Sequence, residues 1–365
     1  MRVFMITSEW PMTSSCTSVF IARQVEFLRR AGVEVEVFHF RGAKRLRNYI
    51  RAWHGARRRL SLGSYDIVHA QFGQSALLAL PKRLPLVVTF RGEDLYGEFG
   101  WDGRITARGR VLGALSRWVA GRADQIVVVS EHLARQIPGR PYHVIPSGLD
   151  LDLFRPMPLE EARRRLGLPI GKPLVLFAAK PSEPCKRYAL AEAAMTRLSQ
   201  RLEAELVVAS GVPHVLMPCY MSACDALLLT SIVEGSPNVV KEALACNLPV
   251  VSVNVGDVQQ RIGPVEGCVL CEDDSPETIA SGLERILLAG RRVDGRRAVV
   301  DLDECAMAER TIAVYREAIA SWARATLGRG GPCPSDEGCQ SGGQYGEHGN
   351  ELHHREGGHS PVASR

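Results

Sequence analysis

The sequence predicts an α/β protein of two domains, each a parallel sheet wrapped by helices. Three observations carry that reading. Short apolar runs recur along the chain, each bounded by polar residues, as strands buried on both faces require. Helical stretches alternate with them, the order of elements that yields parallel sheets. A Pro- and Gly-bearing segment, "VIPSGLDLDLFRPMP", breaks the alternation, and a second series starts after it, which puts a domain boundary near residue 158. A chain of 365 residues is long enough for two cores of this kind.

In the first series, "RVFMIT" from Arg2 to Thr7 is the opening strand, and a polar loop from Ser8 to Ser18 leads into a helix. Phe20, Ile21, Val25 and Leu28 mark that helix's inward face, and Gly32 its stop. Strands follow at 34–40, 66–70, 86–90 and 125–129, each ending in polar residues at the edge where open α/β sheets bind ligands. The second series opens with a helix at 159–166. Strands at 174–178, 205–209, 226–229, 250–253 and 268–270 come next, and a last helix over 304–324 is long enough to pack back across the junction.

The stretch "TSIVEGSPNVVKEALACNLPVVS", residues 230–252, carries the most chemistry. Ser236-Pro237 reads as an N-cap with proline at the first helical position, and Asn247 suits a left-handed helix stop. Glu234 then lies in the loop above a strand end. Glu242 lies inside the helix, on one face with Asn238. A helix start offers free backbone N–H groups and a positive dipole end, both favourable to an anion. Two carboxylates beside such a start point to a ligand carrying phosphates and hydroxyls together.

Composition narrows the classes. A hydrophobic content of 45% and mean hydropathy of −0.05 fit a water-exposed globular chain. No run reaches membrane-spanning length, and "MRVFMITSEWPM" reads as a strand rather than a leader, so the expectation is cytoplasmic. The ten cysteines are scattered; Cys219, Cys224 and Cys246 sit in apolar segments, and Cys268-Val-Leu-Cys271 is a single CxxC with no second pair. No zinc or redox site is expected at that pair. Residues 1–160 hold 23 Lys/Arg against 14 Asp/Glu, net +9, and the remainder holds 22 against 26, net −4, which sums to +5 and assigns the first half an anionic partner. Within it, "AKRLRNYIRAWHGARRRL" places Leu46, Tyr49, Ile50 and Trp53 on one helical face and Lys44, Arg47, Arg51 and Arg58 on another. That pattern over 44–60 fits an anionic membrane surface, hence a peripheral position at the inner membrane face. A helix packed on the sheet with solvated charges explains it equally well. Nucleic acid is not expected, since no binding motif accompanies the charge. From about Gly328 the chain is rich in Gly, Ser and His without apolar period, the signature of a disordered tail, which is set at 326–365.

Several stretches together resemble the retaining glycosyltransferases of the GT-B fold, family 4. The segment from Thr230 to Val258 resembles the family's E-x7-E hallmark, "VVTFRGEDL" its HGxD strand end, "DIVHAQ" its DvvHaH segment, and "VIPSGLDLDLF" its vipNGvDtdrF linker; "YMSACDALLLTS" and "VLFAAKPSEPCK" also agree. The resemblance spans roughly residues 1–320. It implies two Rossmann-like domains facing across a cleft, 1–158 for the acceptor and 159–325 for the donor, with the C-terminal helix crossing back. It also implies transfer of a sugar from a nucleotide diphosphate sugar to a glycan or lipid-linked acceptor, with retention and with neither metal nor cofactor, in cell-surface polysaccharide or glycolipid synthesis. By motif position, Glu234 would bind the donor sugar's hydroxyls and Glu242 the ribose. Ser236, Asn238 and Val239 would offer backbone N–H groups, and Lys180 and Lys186 would neutralise the diphosphate as it leaves. Ser18, His69 and Asp94 are candidates on the acceptor side.

Three features depart from the family pattern. The first loop, "SEWPMTSSCTSVF", holds no glycine, with Ser18 where one is common; Arg91 replaces the usual histidine; and the span from Leu202 to Met221 is short for a full strand–helix unit. Arginine stays protonated at working pH, so Arg91 would act as a fixed donor rather than a base. Two rivals remain at this level: a sugar-nucleotide epimerase of the same fold, whose acid/base work would fall to His69, and a weakly active partner subunit that binds sugar nucleotide.

Overall fold

The structure, a computed structural model, describes residues 1–11, 19–42 and 45–327. Ser18, Lys44 and the stretch from Gly328 onward therefore lie outside the described residues.

Two all-parallel sheets form the frame. The first holds β1 (Arg2–Thr7), β2 (Glu34–His39), β3 (Ile67–Gln71), β4 (Leu86–Phe90), β5 (Gln125–Val128) and β6 (His143–Val144), in the order β2-β1-β3-β4-β5-β6. The second holds β7 (Leu174–Phe177), β8 (Glu205–Val208), β9 (Ala226–Leu229), β10 (Val250–Ser252) and β11 (Val269–Leu270), in the order β11-β10-β9-β7-β8. Every strand expected from the sequence is present to within a residue or two at its ends. β6, too short to show an apolar run, is the addition. After β8 the chain passes through a short turn and the Met217–Ala223 helix straight into β9, so the second sheet is one strand smaller than the first.

Burial on both strand faces explains the continuous apolar runs. In the first sheet, Phe4, Val68 and Val88 face the Leu46–Leu62 and Ala107–Ala120 helices, meeting Ala52, Ala56 and Val119. Val3, Met5 and Val87, pointing the opposite way as the two-residue period demands, meet Ile21, Val25 and Leu28 of the Val19–Arg30 helix. The Glu304–Leu327 helix packs on that same face through Tyr315 and Ala318, so the chain's last helix does cross back. Leu149 and Phe154, in the segment before residue 158, already belong to the second core with Leu174–Phe177 and Ala226–Leu229. Gly32 and Asn247, the two expected helix stops, both take positive φ (81° and 57°).

The basic helix resolves into a packed element with a charged outer face. Tyr49 stands edge-on to Phe40, and the Trp53 indole donates to the Leu80 carbonyl at 2.7 Å, so both aromatics point inward and neither is available to a membrane. Leu46 and Ile50 remain exposed. Among the described residues no helix is long and apolar enough to cross a membrane.

Candidate functional site

In both sheets the strand order reverses beside the first strand, between β1 and β3 and between β7 and β9, and such switch points are where open α/β sheets take ligands. In the second sheet the loop after β7 carries Lys186 and the loop after β9 carries Glu234. The two loops are tied together. Ile232 N–H donates to the Cys185 carbonyl at 2.8 Å, and the Thr230 hydroxyl donates to the Lys186 carbonyl at 2.8 Å. Lys186 Nζ consequently meets Glu234 Oε1 at 2.6 Å, in a largely buried pair. Burial would lower the lysine's pKa, but Glu234 outweighs it and holds the ammonium charged well above its usual range.

Glu234 also sits where the domains touch. The Ser130 hydroxyl donates to the Gly235 carbonyl at 2.6 Å. A Cβ on Gly235 would collide with the Arg91 carbonyl oxygen, so only glycine lets the β9 loop close on the β4 loop. Beyond Gly235 the Asn238–Ala245 helix begins, with Pro237 at its N-cap position and no side-chain cap. Ser236, read from sequence as that cap, instead donates its hydroxyl to Asp257 Oδ2 at 2.8 Å. The N–H groups of Asn238 and Val239, in the first turn, have no intrahelical acceptor and stay available to an anion.

Asn238, Lys241 and Glu242 line a cavity of about 290 Å³ between the domains, with Phe20, Arg23 and His214 on its other walls. Glu242 Oε1 lies 3.1 Å from His214 Nε2. Burial alone would lower the histidine's pKa; the bond to Glu242 reverses that and raises it. Arg23 reaches across from the first domain to Asp150 at 2.7 Å and to both oxygens of Glu304, so one arginine ties together the linker and the start of the last helix.

Arg91 is held rather than free. Its guanidinium donates to Gln71 Oε1 at 3.1 and 2.8 Å, to Gln24 Oε1 at 3.1 Å and to Ser147 Oγ at 2.8 Å, and it stacks over Phe20. Burial pulls its pKa down to about 10, still charged at neutral pH. Lys241, which the sequence reading passed over, meets the same residue from the other domain: its Nζ donates to the Ser147 carbonyl at 3.4 Å. Only 2% exposed, it has its pKa lowered to about 8 by burial, with Asp257 acting the other way. Asp257 Oδ1 is itself buried with no hydrogen-bond partner. Two buried cations therefore converge on Ser147 beside a helix start, and the pattern signal for Lys241 was its position directly after Val239-Val240 and three before Leu244, on the helix's apolar side.

Four sequence candidates stand differently. His69 is fully buried, with Nδ1 2.6 Å from the Tyr315 hydroxyl and Nε2 2.7 Å from Thr89 Oγ1; burial and then Arg91 bring its pKa to about 3. It is a neutral core histidine that fastens the last helix to β3, with both ring nitrogens engaged inside the protein. Asp94 accepts from the backbone N–H groups of Gly73, Arg91 and Gly92, at 3.1, 3.1 and 2.9 Å, and so shapes the loop. Lys180 is half-exposed and 3.8 Å from Glu183, apart from the Lys186–Glu234 pair. Ser18 lies outside the described residues. Cys268 and Cys271 have thiol pKa values pushed up to about 11 by burial, unlike reactive or metal-bound thiolates.

Comparison with known proteins agrees with this geometry. Residues 17–153 match the family described as Glycosyltransferase Family 4, and residues 178–288 match Glycosyl transferases group 1. The chain is 28% identical over 249 residues to the putative teichuronic acid biosynthesis glycosyltransferase TuaC of Bacillus subtilis, covering 60% of this chain and 61% of that one. It thus spans about three-fifths of TuaC's length. It is 27% identical over 324 residues to D-inositol 3-phosphate glycosyltransferase 1 of Catenulispora acidiphila, covering 74% and 75%. Among solved structures, sucrose-phosphate synthase from Thermosynechococcus elongatus superposes with a TM-score of 0.74 at 18% identity, over 88% of this chain and 99% of that one. Anabaena HepE in complex with UDP-glucose gives 0.57 at 17%, over 88% and 99%.

Proposed function

Because the chain is a GT-B glycosyltransferase of family 4 type, we propose that it moves a sugar from a nucleoside diphosphate sugar to a hydroxyl of a glycan or lipid-linked acceptor, with retention at the anomeric carbon. The observation that carries this reading is the Lys186–Glu234 pair at the switch point of the second sheet, with Glu234 four residues before the open start of the helix that bears Asn238 and Glu242. In it the diphosphate lies against the N–H groups of Asn238 and Val239, with Lys186 and Lys241 as cations. Glu242 takes the ribose hydroxyls from His214, and Glu234 takes hydroxyls of the donor sugar. The UDP-glucose bound by HepE supports the choice of donor, and the teichuronic acid biosynthesis named for TuaC, a polysaccharide pathway, supports a glycan product.

Transfer breaks the bond from the anomeric carbon to the diphosphate oxygen and forms one to the acceptor oxygen on the same face. The acceptor's proton passes to the departing phosphate oxygen, and fixed cations hold the negative charge that develops there. No histidine base is needed in this step; His69, which the sequence offered as the acid/base group of an epimerase, is buried and bonded at both nitrogens. Thermal-shift screening of UDP, GDP and ADP sugars, followed by NMR of the anomeric proton during transfer, tests the proposal. An inverted product, or no stabilisation by any nucleotide sugar, would overturn it.

A further inference from the structure

The first domain carries an exposed apolar surface that the transfer reaction does not use. On the Ala107–Ala120 helix, Val111, Leu115 and Trp118 follow one another at helical spacing along a single stripe, with Val111 59% and Trp118 46% exposed. The hairpin that precedes this helix, closed by the Phe99–Ile105 bridge, adds Trp101 at 76% and Ile105. Leu46 and Ile50, at the start of the Leu46–Leu62 helix, are exposed too. Both helices cover the same face of the first sheet, and Arg108 acts electrostatically on Tyr49, which brings their starting ends together.

Charge on the two helices has one sign, with Asp102 of the hairpin the acid beside them. The Leu46–Leu62 helix holds five arginines and the Ala107–Ala120 helix three, and neither contains Asp or Glu. Arg122, just past the second helix, stacks on the Trp118 ring. Isolated exposed apolar residues are ordinary, but tryptophans and aliphatics in a stripe among arginines form an amphipathic surface. Trp suits the headgroup level, and arginine suits anionic lipid. Nucleic acid would use the arginines and leave Val111, Leu115 and Trp101 in water.

We propose that this face, with the Ala107–Ala120 helix as its apolar element and the Leu46–Leu62 helix as its charged flank, docks on a bilayer containing anionic lipid. It lies beside the cleft. A Cβ on Gly103, at the hairpin tip, would be 3.6 Å from Ile232, two residues before Glu234, so docking sets the mouth of the sugar site against the membrane surface. The proposal deepens the lipid-linked acceptor reading and rests on it only for this last step.

Vesicle co-sedimentation tests it without catalysis. The full chain should bind vesicles of phosphatidylglycerol and phosphatidylcholine and bind pure phosphatidylcholine weakly. The triple variant Val111→Ser, Leu115→Ser, Trp118→Ser should lose on the order of a hundredfold in partitioning from the lost apolar burial. Arg108→Gln and Arg110→Gln should each lose roughly fivefold at low salt. Because all five positions are exposed or at the edge of the helix, circular dichroism should show unchanged folding, and the single Trp118→Ala variant gives a milder second reading. Donor-sugar hydrolysis in the absence of lipid should match wild type, which separates failure of docking from failure of the transfer reading. Equal vesicle binding by wild type and triple variant would overturn the proposal. So would absent binding to anionic vesicles together with salt-sensitive binding to RNA or DNA, or a dimer in solution that the triple variant dissolves.

Discussion

Replacing Lys241 with methionine is expected to make the ligand-free protein more stable and its nucleotide complex weaker. The lysine is 2% exposed, its one hydrogen bond is the 3.4 Å contact to the Ser147 carbonyl, and Arg91 holds the same residue's hydroxyl. Burial brings its pKa from 10.5 to about 8. That gap corresponds to about 3 kcal/mol spent on keeping the ammonium charged in the folded state at neutral pH. The sign follows from linkage: for a cation whose folded pKa is depressed, the cost is complete below about pH 8, shrinks as pH rises, and is gone above 10.5. Methionine keeps the stem and removes the charge. Urea unfolding at pH 7 should therefore show the variant more stable by up to about 3 kcal/mol, with the difference closing toward pH 10. Calorimetric titration with UDP, GDP and ADP should show the preferred nucleotide binding roughly tenfold or more weakly, the loss of one charge-assisted hydrogen bond. A variant that is less stable at pH 7 and binds nucleotide as wild type does would refute the reasoning. Lys241 would then be a clasp between the Asn238–Ala245 helix and the linker, with no part in anion binding.

Other outcomes follow from the same geometry. Glu242→Gln should mainly raise the donor KM, since a ribose contact persists through the reaction, whereas Glu234→Gln should also lower kcat; wild-type kinetics in both would sink the assignment. Lys186→Ala should cost about 2–4 kcal/mol in kcat/KM and Lys180→Ala clearly less, because only Lys186 reaches Glu234; equal losses would show that Lys180 moves in on binding. Transfer should survive EDTA, since fixed cations take the place of a metal, and turnover restored only by added Mg²⁺ would contradict that. His214 has a raised pKa through Glu242, so its contribution to stability is complete below 6.5 and lost as pH rises through its folded value. The stability difference between wild type and His214→Ala, followed by thermal unfolding from pH 5.5 to 8.5, should shrink as pH rises; a constant difference would mean that the pair is not charged.

The frame was legible because parallel strands buried on both faces read as unbroken apolar runs, and because Gly32 and Asn247 mark their helix ends with backbone conformations few residues accept. Glu234, Glu242 and Asn238 were legible for a related reason: strand, loop and helix are local, so their relative placement follows from a few residues of sequence. Side-chain direction was not. His69 looked like a strand-end ligand, but its partner Tyr315 lies 246 positions away on the returning helix, and no local pattern places that hydroxyl 2.6 Å from the ring. Asp94 read from sequence either as an acceptor-side candidate or as a cap for the next turn, and three N–H groups of the closing loop take its oxygens. Tyr49 and Trp53 fell on an amphipathic face as expected, but periodicity cannot say whether that face turns to lipid or to β-sheet. The sheet won, because Phe40 and the Leu80 carbonyl were there to receive them.

A last step concerns what the ligand-free site does with its charges. Each charged side chain proposed to touch donor is already paired within the protein: Lys186 with Glu234, Glu242 with His214, and Lys241 with the Ser147 carbonyl. A free sugar offers only hydroxyls, and it would have to displace a 2.6 Å ion pair to reach Glu234. A diphosphate can draw Lys186 away, because it supplies more negative charge than the carboxylate it replaces and lies against a helix start that favours it. Once Lys186 turns to phosphate, the Glu234 carboxylate is released and its oxygens can accept from sugar hydroxyls. Recognition of the sugar is then conditional on recognition of the phosphates. Sugar and nucleoside diphosphate should bind cooperatively as parts of one molecule and poorly as separate ones, with a coupling lost in Lys186→Ala. On the proposed reading the same exchange would run backwards after transfer: as the nucleoside diphosphate leaves, Lys186 would return to Glu234 and the site would no longer hold a sugar.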